Sequence, residues 1–84
     1  MPPRAPTNRT LLNNVLQDRG QSNDVSWEDV VAGPQHQPMW TSKVFVKGLE
    51  YGEGTGGTKG EAREDAAGAA LVSLRAERAE RATS

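Results

Sequence analysis

Apolar and polar residues recur along this chain in two rhythms, and the changes of rhythm divide it into five elements. Leu12, Val15 and Leu16 fall at i, i+3 and i+4 with Leu11 beside them, the spacing of one helix face. Thr7 or Asn8 can cap the start of this helix, and Gly20 is placed to end it just after Arg19. A polar loop, Gln21 to Asp24, follows, and the period then shortens to two. Val25 to Ala32 predicts a first strand, with Trp27 and Val31 on one parity and Val30 on the other. Trp40, Ser42, Val44 and Val46 next alternate with Thr41, Lys43, Phe45 and Lys47, which suits an antiparallel strand with one covered and one wet face. Lys47-Gly48-Leu49 reads as a tight hairpin into a short third strand, Leu49 to Gly54, and Thr55 to Gly57 as a glycine-rich turn. The helical period then returns. Thr58 and Glu61 have capping-box spacing, and Ala62, Ala66, Ala69, Ala70 and Leu74 trace one face of a second helix.

Helix, three strands, helix predicts an α+β domain of α-β-β-β-α order, its two helices packed on one face of a three-stranded antiparallel sheet. The alanine face would let the second helix lie close to that sheet. The domain is expected over residues 7–75. Residues 1–6, with prolines at 2, 3 and 6, read as a disordered lead-in. Residues 76–84 repeat Arg-Ala-Glu without an apolar stripe and read as a charged, fraying helical tail. Pairs such as Glu77–Arg81 would add only about 0.2–0.5 kcal/mol each.

At 84 residues the chain holds one domain and a small core, since a domain of this size buries only about 60% of its unfolded surface. Trp27, Trp40, Phe45 and Tyr51 are its only aromatics. The absence of cysteine excludes disulfides and thiolate metal sites and suits a reducing compartment. No apolar run approaches a membrane span, and Met1 to Pro6 lacks the apolar core of a signal peptide. The expected setting is intracellular, cytoplasm or nucleus, so the sequon Asn8-Arg9-Thr10 would stay unmodified. No nucleophile–histidine partnership and no carboxylate cluster with metal-ligand spacing is visible. Neither catalysis, a metal nor a cofactor is expected.

The net charge of −1 speaks against a nucleic-acid partner unless the charges are sorted in space. Along the chain they partly are. The first helix and its lead-in are net positive through Arg4, Arg9 and Arg19, the strands net negative, and residues 55–84 balanced. Any phosphate binding must therefore rest on a few placed cations. Lys59 and Arg63 are such a pair, at i and i+4 on the first turns of a helix whose N-terminus itself favours anions. A solvated helix face accounts for the same pair equally well. Gly52, Gly54 and Gly57 spell G-x-G-x-x-G, but too little chain follows to complete a βαβ unit, and Thr58-Lys59 reverses the Walker order. These glycines are expected to serve the strand-to-helix turn, where a positive φ is needed.

Two separated motifs carry a resemblance. Gly33, Pro34 and His36, followed by Trp40 opening a strand, match the glycine-proline-x-histidine loop of the double-stranded RNA-binding domain. Lys59-Gly60-Glu61-Ala62-Arg63 matches in part that family's lysine-lysine-x-alanine-lysine helix start, and the chain resembles the family from about Thr7 to Leu74. The resemblance implies duplex RNA as partner, read by shape over about 16 base pairs. By the same resemblance Thr10 and Asn14, with Asn13 beside them, would enter one minor groove. Pro34, Gln35 and His36 would enter the next and read 2′-hydroxyls, while Thr58, Lys59 and Arg63 would meet phosphates between them. Gly60 stands where the family has its second lysine, and Asn14 where it has a glutamate. Trp27 and Trp40 are expected in the core rather than under a base.

A second reading keeps the fold but makes it a protein-interaction module, a homodimer or an adaptor. It draws on the acidic balance, Gly60, Asn14 and the outward parity of Phe45. Family context adds silencing, editing, processing or antiviral-sensing complexes as settings, with no membrane involved.

Overall fold

The computed structural model describes residues 7–83, with side chains as far as Glu77. The expected lead-in, residues 1–6, lies outside the described residues, as does the side chain of Arg81. Helix α1 spans Asn8–Asp18, a 3-10 turn at Ser22–Asp24 leads to strand β1 (Val25–Ala32), and β2 (Met39–Val46), β3 (Leu49–Gly56) and helix α2 (Lys59–Thr83) follow. This is the expected α-β-β-β-α order.

Local chemistry sets the element ends. Thr7 caps α1, its Oγ1 accepting the Thr10 N–H at 3.1 Å. Gly20, at φ 69°, closes that helix as the Gln21 N–H returns to the Leu16 carbonyl at 2.7 Å. Lys47 and Gly48 both have positive φ, 53° and 79°, the requirement of a two-residue turn whose twist matches its strands.

The sheet is antiparallel in the order β1-β2-β3. Val25, Trp27, Asp29 and Val31 lie opposite Val46, Val44, Ser42 and Trp40, so these eight residues share the helix-facing side of the sheet, with Val31 left exposed at its end. Leu12, Leu16, Val44, Val46, Ala67, Ala70, Leu71 and Leu74 form the core, with Trp27 and Tyr51 packed at its margin. Both tryptophans are only half-buried, and Trp40 stands outside this cluster. The first and second helices lie side by side and run the same way. The Asn8 N–H meets the Glu64 carboxylate at one end, and Arg19 meets Glu77 at the other.

Three expectations are corrected here. The buried face of α2 is wider than the alanine stripe suggests. Ala67 and Leu71 are buried too and Ala69 only half so, because α2 packs on α1 as well as on the sheet. The third strand continues through Thr55 and Gly56 rather than turning after Gly54. The glycines at 52, 54 and 57 do not serve a positive φ; the described glycines with one are Gly20, Gly33 and Gly48. Gly52, Gly54 and Gly56 instead admit the backbone of α2. A Cβ at Gly54 would lie 2.6 Å from the Ala62 carbonyl oxygen, and one at Gly52 would lie 2.6 Å from the Ala70 nitrogen. Between Val44 and Phe45 the β2–β3 register shifts by a residue, a bulge that brings Tyr51 to the helix side while Gly52 stays buried.

Candidate nucleic-acid interface

Strand pairing gathers the sequence-predicted groups at one end of the domain. Trp40 pairs with Val31 on one side and Gly56 on the other, so the β1–β2 loop and the start of α2 leave the sheet at the same edge. The first residues of α1 reach that end as well. Glu64, in the second turn of α2, accepts the Asn8 N–H at 2.5 Å and the Arg9 N–H at 3.2 Å, capping α1 with a carboxylate from another helix.

The loop is a built turn. Gly33 adopts φ 93°, and the Gln37 N–H donates to the Pro34 carbonyl at 3.0 Å. A side chain at position 33 would press on the Gln37 carbonyl at 2.9 Å. Pro34, Gln35 and His36 are thereby held exposed at the tip.

On α1, Thr10 and Asn13 are exposed and line one depression together with Thr7 and Arg9. Asn13 also borders the groove between α1 and β1, which is floored by Leu12, Leu16 and Trp27 and bounded by Arg63. Asn14 is exposed but lines a different groove, toward α2, with Asp18, Leu71 and Arg75. The structure thus groups Thr10 with Asn13 and sets Asn14 apart.

At the start of α2 the Thr58 Oγ1 accepts the Glu61 N–H at 3.1 Å, while the Glu61 carboxylate takes the Gly57 N–H at 3.0 Å. The capping box closes one residue upstream of its usual reciprocal partner, and the Thr58 hydroxyl is engaged in it. Lys59 is exposed and makes no ion pair among the described residues. Gly60 faces open space; a Cβ there would meet only the Thr58 hydroxyl, at 3.9 Å.

Arg63 departs from the expected exposed cation. Its guanidinium turns inward to Asp29 of β1, with Nε to Oδ1 at 3.0 Å and Nη2 to Oδ2 at 2.5 Å. It also lies 5.3 Å from the centre of the Trp27 ring. Asp29 accepts a third bond from the buried Ser42 hydroxyl at 2.7 Å. The bonds from Arg63 outweigh burial and, helped by Ser42, hold the Asp29 carboxyl at about 2; the same bonds raise Arg63 above its ordinary value. Sequence reasoning passed over Asp29 and Ser42. Their parity carries the clue: Asp29 shares the parity of Trp27 and Val31, and a carboxylate on the helix-facing side of a strand requires a cationic partner.

The charges are sorted in space in a way the linear sequence conceals. Asp29, Glu61, Glu64, Asp65 and Glu77 each hold a backbone N–H or a cation of the domain itself. Glu28, Glu50 and Glu53 lie around Lys43 on the far face of the sheet. At the end carrying Lys59 and the exposed loop, Glu61, Glu64 and Asp65 are thereby turned onto N–H groups of the domain itself.

The chain matches the family described as "Double-stranded RNA binding motif" over residues 9–74. Among relatives, it is similar to Ribonuclease 3 of Nocardia farcinica, 38% identical over 69 residues, which are 82% of this chain and 28% of that protein. It is similar to Ribonuclease 3 of Ligilactobacillus salivarius, 41% identical over 68 residues, 81% of this chain and 29% of that one. With Ribonuclease 3 of Streptomyces coelicolor it shares 46% identity over 50 residues, 60% of this chain and 18% of that one. The chain spans less than a third of the length of each. No helix among the described residues is long and apolar enough to cross a membrane. With a helix-capped cation, a rigid loop and a polar helix face at one end of an α-β-β-β-α domain, and a family match over most of its length, this chain belongs to the double-stranded RNA-binding motif family.

Proposed function

We propose that the domain binds double-stranded RNA by shape, and that it does so without cutting it. Thr10 and Asn13 would occupy one minor groove, Pro34, Gln35 and His36 the next, and Lys59 the phosphates between them. The observation that supports this most is the grouping of those residues at one end of the sheet, where Glu61, Glu64 and Asp65 are turned onto backbone N–H groups of the domain itself. The expected mode is indifferent to sequence, because 2′-hydroxyls and phosphates recur at every base pair. Similarity to proteins named Ribonuclease 3, of which the chain spans a minor part, supports a place in RNA-processing assemblies within the cell.

A titration against duplex RNA, duplex DNA and single-stranded RNA of equal length tests this reading. Duplex RNA should bind tightest and be recovered at full length. Equal affinity for RNA and DNA duplexes would sink the groove reading and leave only diffuse electrostatics. Lys59→Ala should weaken binding alike for all duplex sequences and flatten the salt dependence by about one counterion.

A further inference from the structure

We propose that Asp29 acts as an internal substitute for RNA phosphate, holding Arg63 off the binding face and so setting the affinity of the domain from within. The inference rests on the RNA-binding reading above and adds a residue that limits it. Arg63 sits four residues after Lys59, at the same end of α2, and borders the groove that Asn13 lines. By position it could serve the same ligand. Its guanidinium is instead engaged along its Nε–Nη2 edge by both oxygens of one carboxylate, the bidentate geometry that a phosphate would otherwise offer it.

The competition is one-sided. Asp29 is 13% exposed in its side chain and Arg63 32%. Swinging Arg63 out to RNA would leave the Asp29 charge largely buried with only the Ser42 hydroxyl as partner, and breaking such a pair is strongly unfavourable. The departing guanidinium would also uncover the face of Trp27 that it now lies against. RNA would have to offset both losses to gain one contact. In the native protein the start of α2 therefore presents Lys59 alone, and Arg63 ties that helix to β1.

Asp29→Asn removes the charge while keeping an oxygen for Ser42. Arg63 is then free to reach phosphate. Affinity for duplex RNA should rise about threefold at moderate salt, and the salt slope should steepen by about one counterion. In a chain that also carries Arg63→Met, whose apolar stem still covers Trp27, Asp29→Asn should bring no gain. Arg63→Met alone should leave the salt slope as it is in the unmodified chain.

Urea denaturation and circular dichroism establish folding for each variant. A folded Asp29→Asn variant with unchanged affinity and slope overturns this inference while leaving the RNA-binding reading intact. So does an equal gain in the Arg63→Met background, which would reflect simple loss of a negative charge. Loss of about one counterion in Arg63→Met alone overturns it independently of whether Asp29→Asn folds, because Arg63 would then already touch RNA. Failure of the unmodified chain to bind any duplex overturns the reading of the site itself and this inference with it.

Discussion

Asp29 shows how much one side chain can gather. It receives two bonds from Arg63 and one from Ser42, and through Arg63 it is coupled to Trp27, so a strand, its neighbour and a helix meet at one carboxylate. Its pKa is lowered from 3.8 to about 2. A depressed carboxylate pKa means that the folded state is favoured while the group is charged. The contribution is complete above the unfolded value near pH 4, declines as pH falls toward 2, and is gone below that. Its size is about 1–2 kcal/mol, since Arg63 keeps some solvent contact and screening reduces the linkage figure. The unmodified chain should therefore be more stable than Asp29→Asn at neutral pH, and the gap should close between pH 4 and pH 2. Urea midpoints of the two proteins across that range check this; a gap that persists at pH 2 would mean that the charge is not what stabilises.

At the scale of elements, the pairing of β3 with α2 depends on what is missing from the strand. Gly52, Gly54 and Gly56 put no side chain between β3 and the Ala62–Ala66–Ala70 face, and both backbones approach to contact. Gly54→Ala should lower stability by about 1–3 kcal/mol, toward the upper end, because the added methyl meets backbone atoms that no rotamer change can move. Thermal unfolding measures it. Gly60 is the opposite case, with room for a side chain in the first turn of α2. Gly60→Lys should stabilise the helix by up to about 1 kcal/mol, less in a first turn than in an interior. It should also strengthen duplex RNA binding with about one additional counterion released. A stabilised protein whose salt slope does not change would show that this helix end does not face phosphate.

Across the whole molecule the two helices are clamped at both ends by acids of α2, Glu64 at the start of α1 and Glu77 at its close. Glu77 also accepts the Tyr51 hydroxyl at 3.1 Å, joining α1, β3 and α2 at the end of the domain remote from the candidate interface. The folded unit thus includes at least Glu77, beyond the boundary at Arg75 that apolar periodicity suggested, since a bond between charged groups leaves no apolar repeat. A chain ended after Arg75 should lose about 1 kcal/mol or more through these bonds, and Glu77→Ala should lose a similar amount. Duplex RNA affinity should change little, because the bonds lie at the other end. Paired denaturation and RNA titration check both halves of the expectation.

Each element was legible because its own residues demand it. Leu12, Val15 and Leu16 need a helix to share a face, Trp40 to Val46 need a strand, Thr58 with Glu61 starts a helix, and Lys47-Gly48 turns a hairpin. The loop at Gly33 to His36 and the exposure of Lys59 could be read the same way, since local geometry and polarity suffice for them. What remained hidden depends on meetings between distant segments. The role of the β3 glycines follows from how closely α2 approaches, the extra breadth of the α2 face from α1 beside it, and the loss of Arg63 to Asp29 from an ion pair across 34 positions of sequence. Periodicity records which face a residue must hide or show, because burial acts on each segment separately. Which charge answers which other charge is decided only when packing brings them within a few ångströms, and so the tertiary structure alone shows Arg63 turned to Asp29 while Lys59, four residues before it, stays exposed.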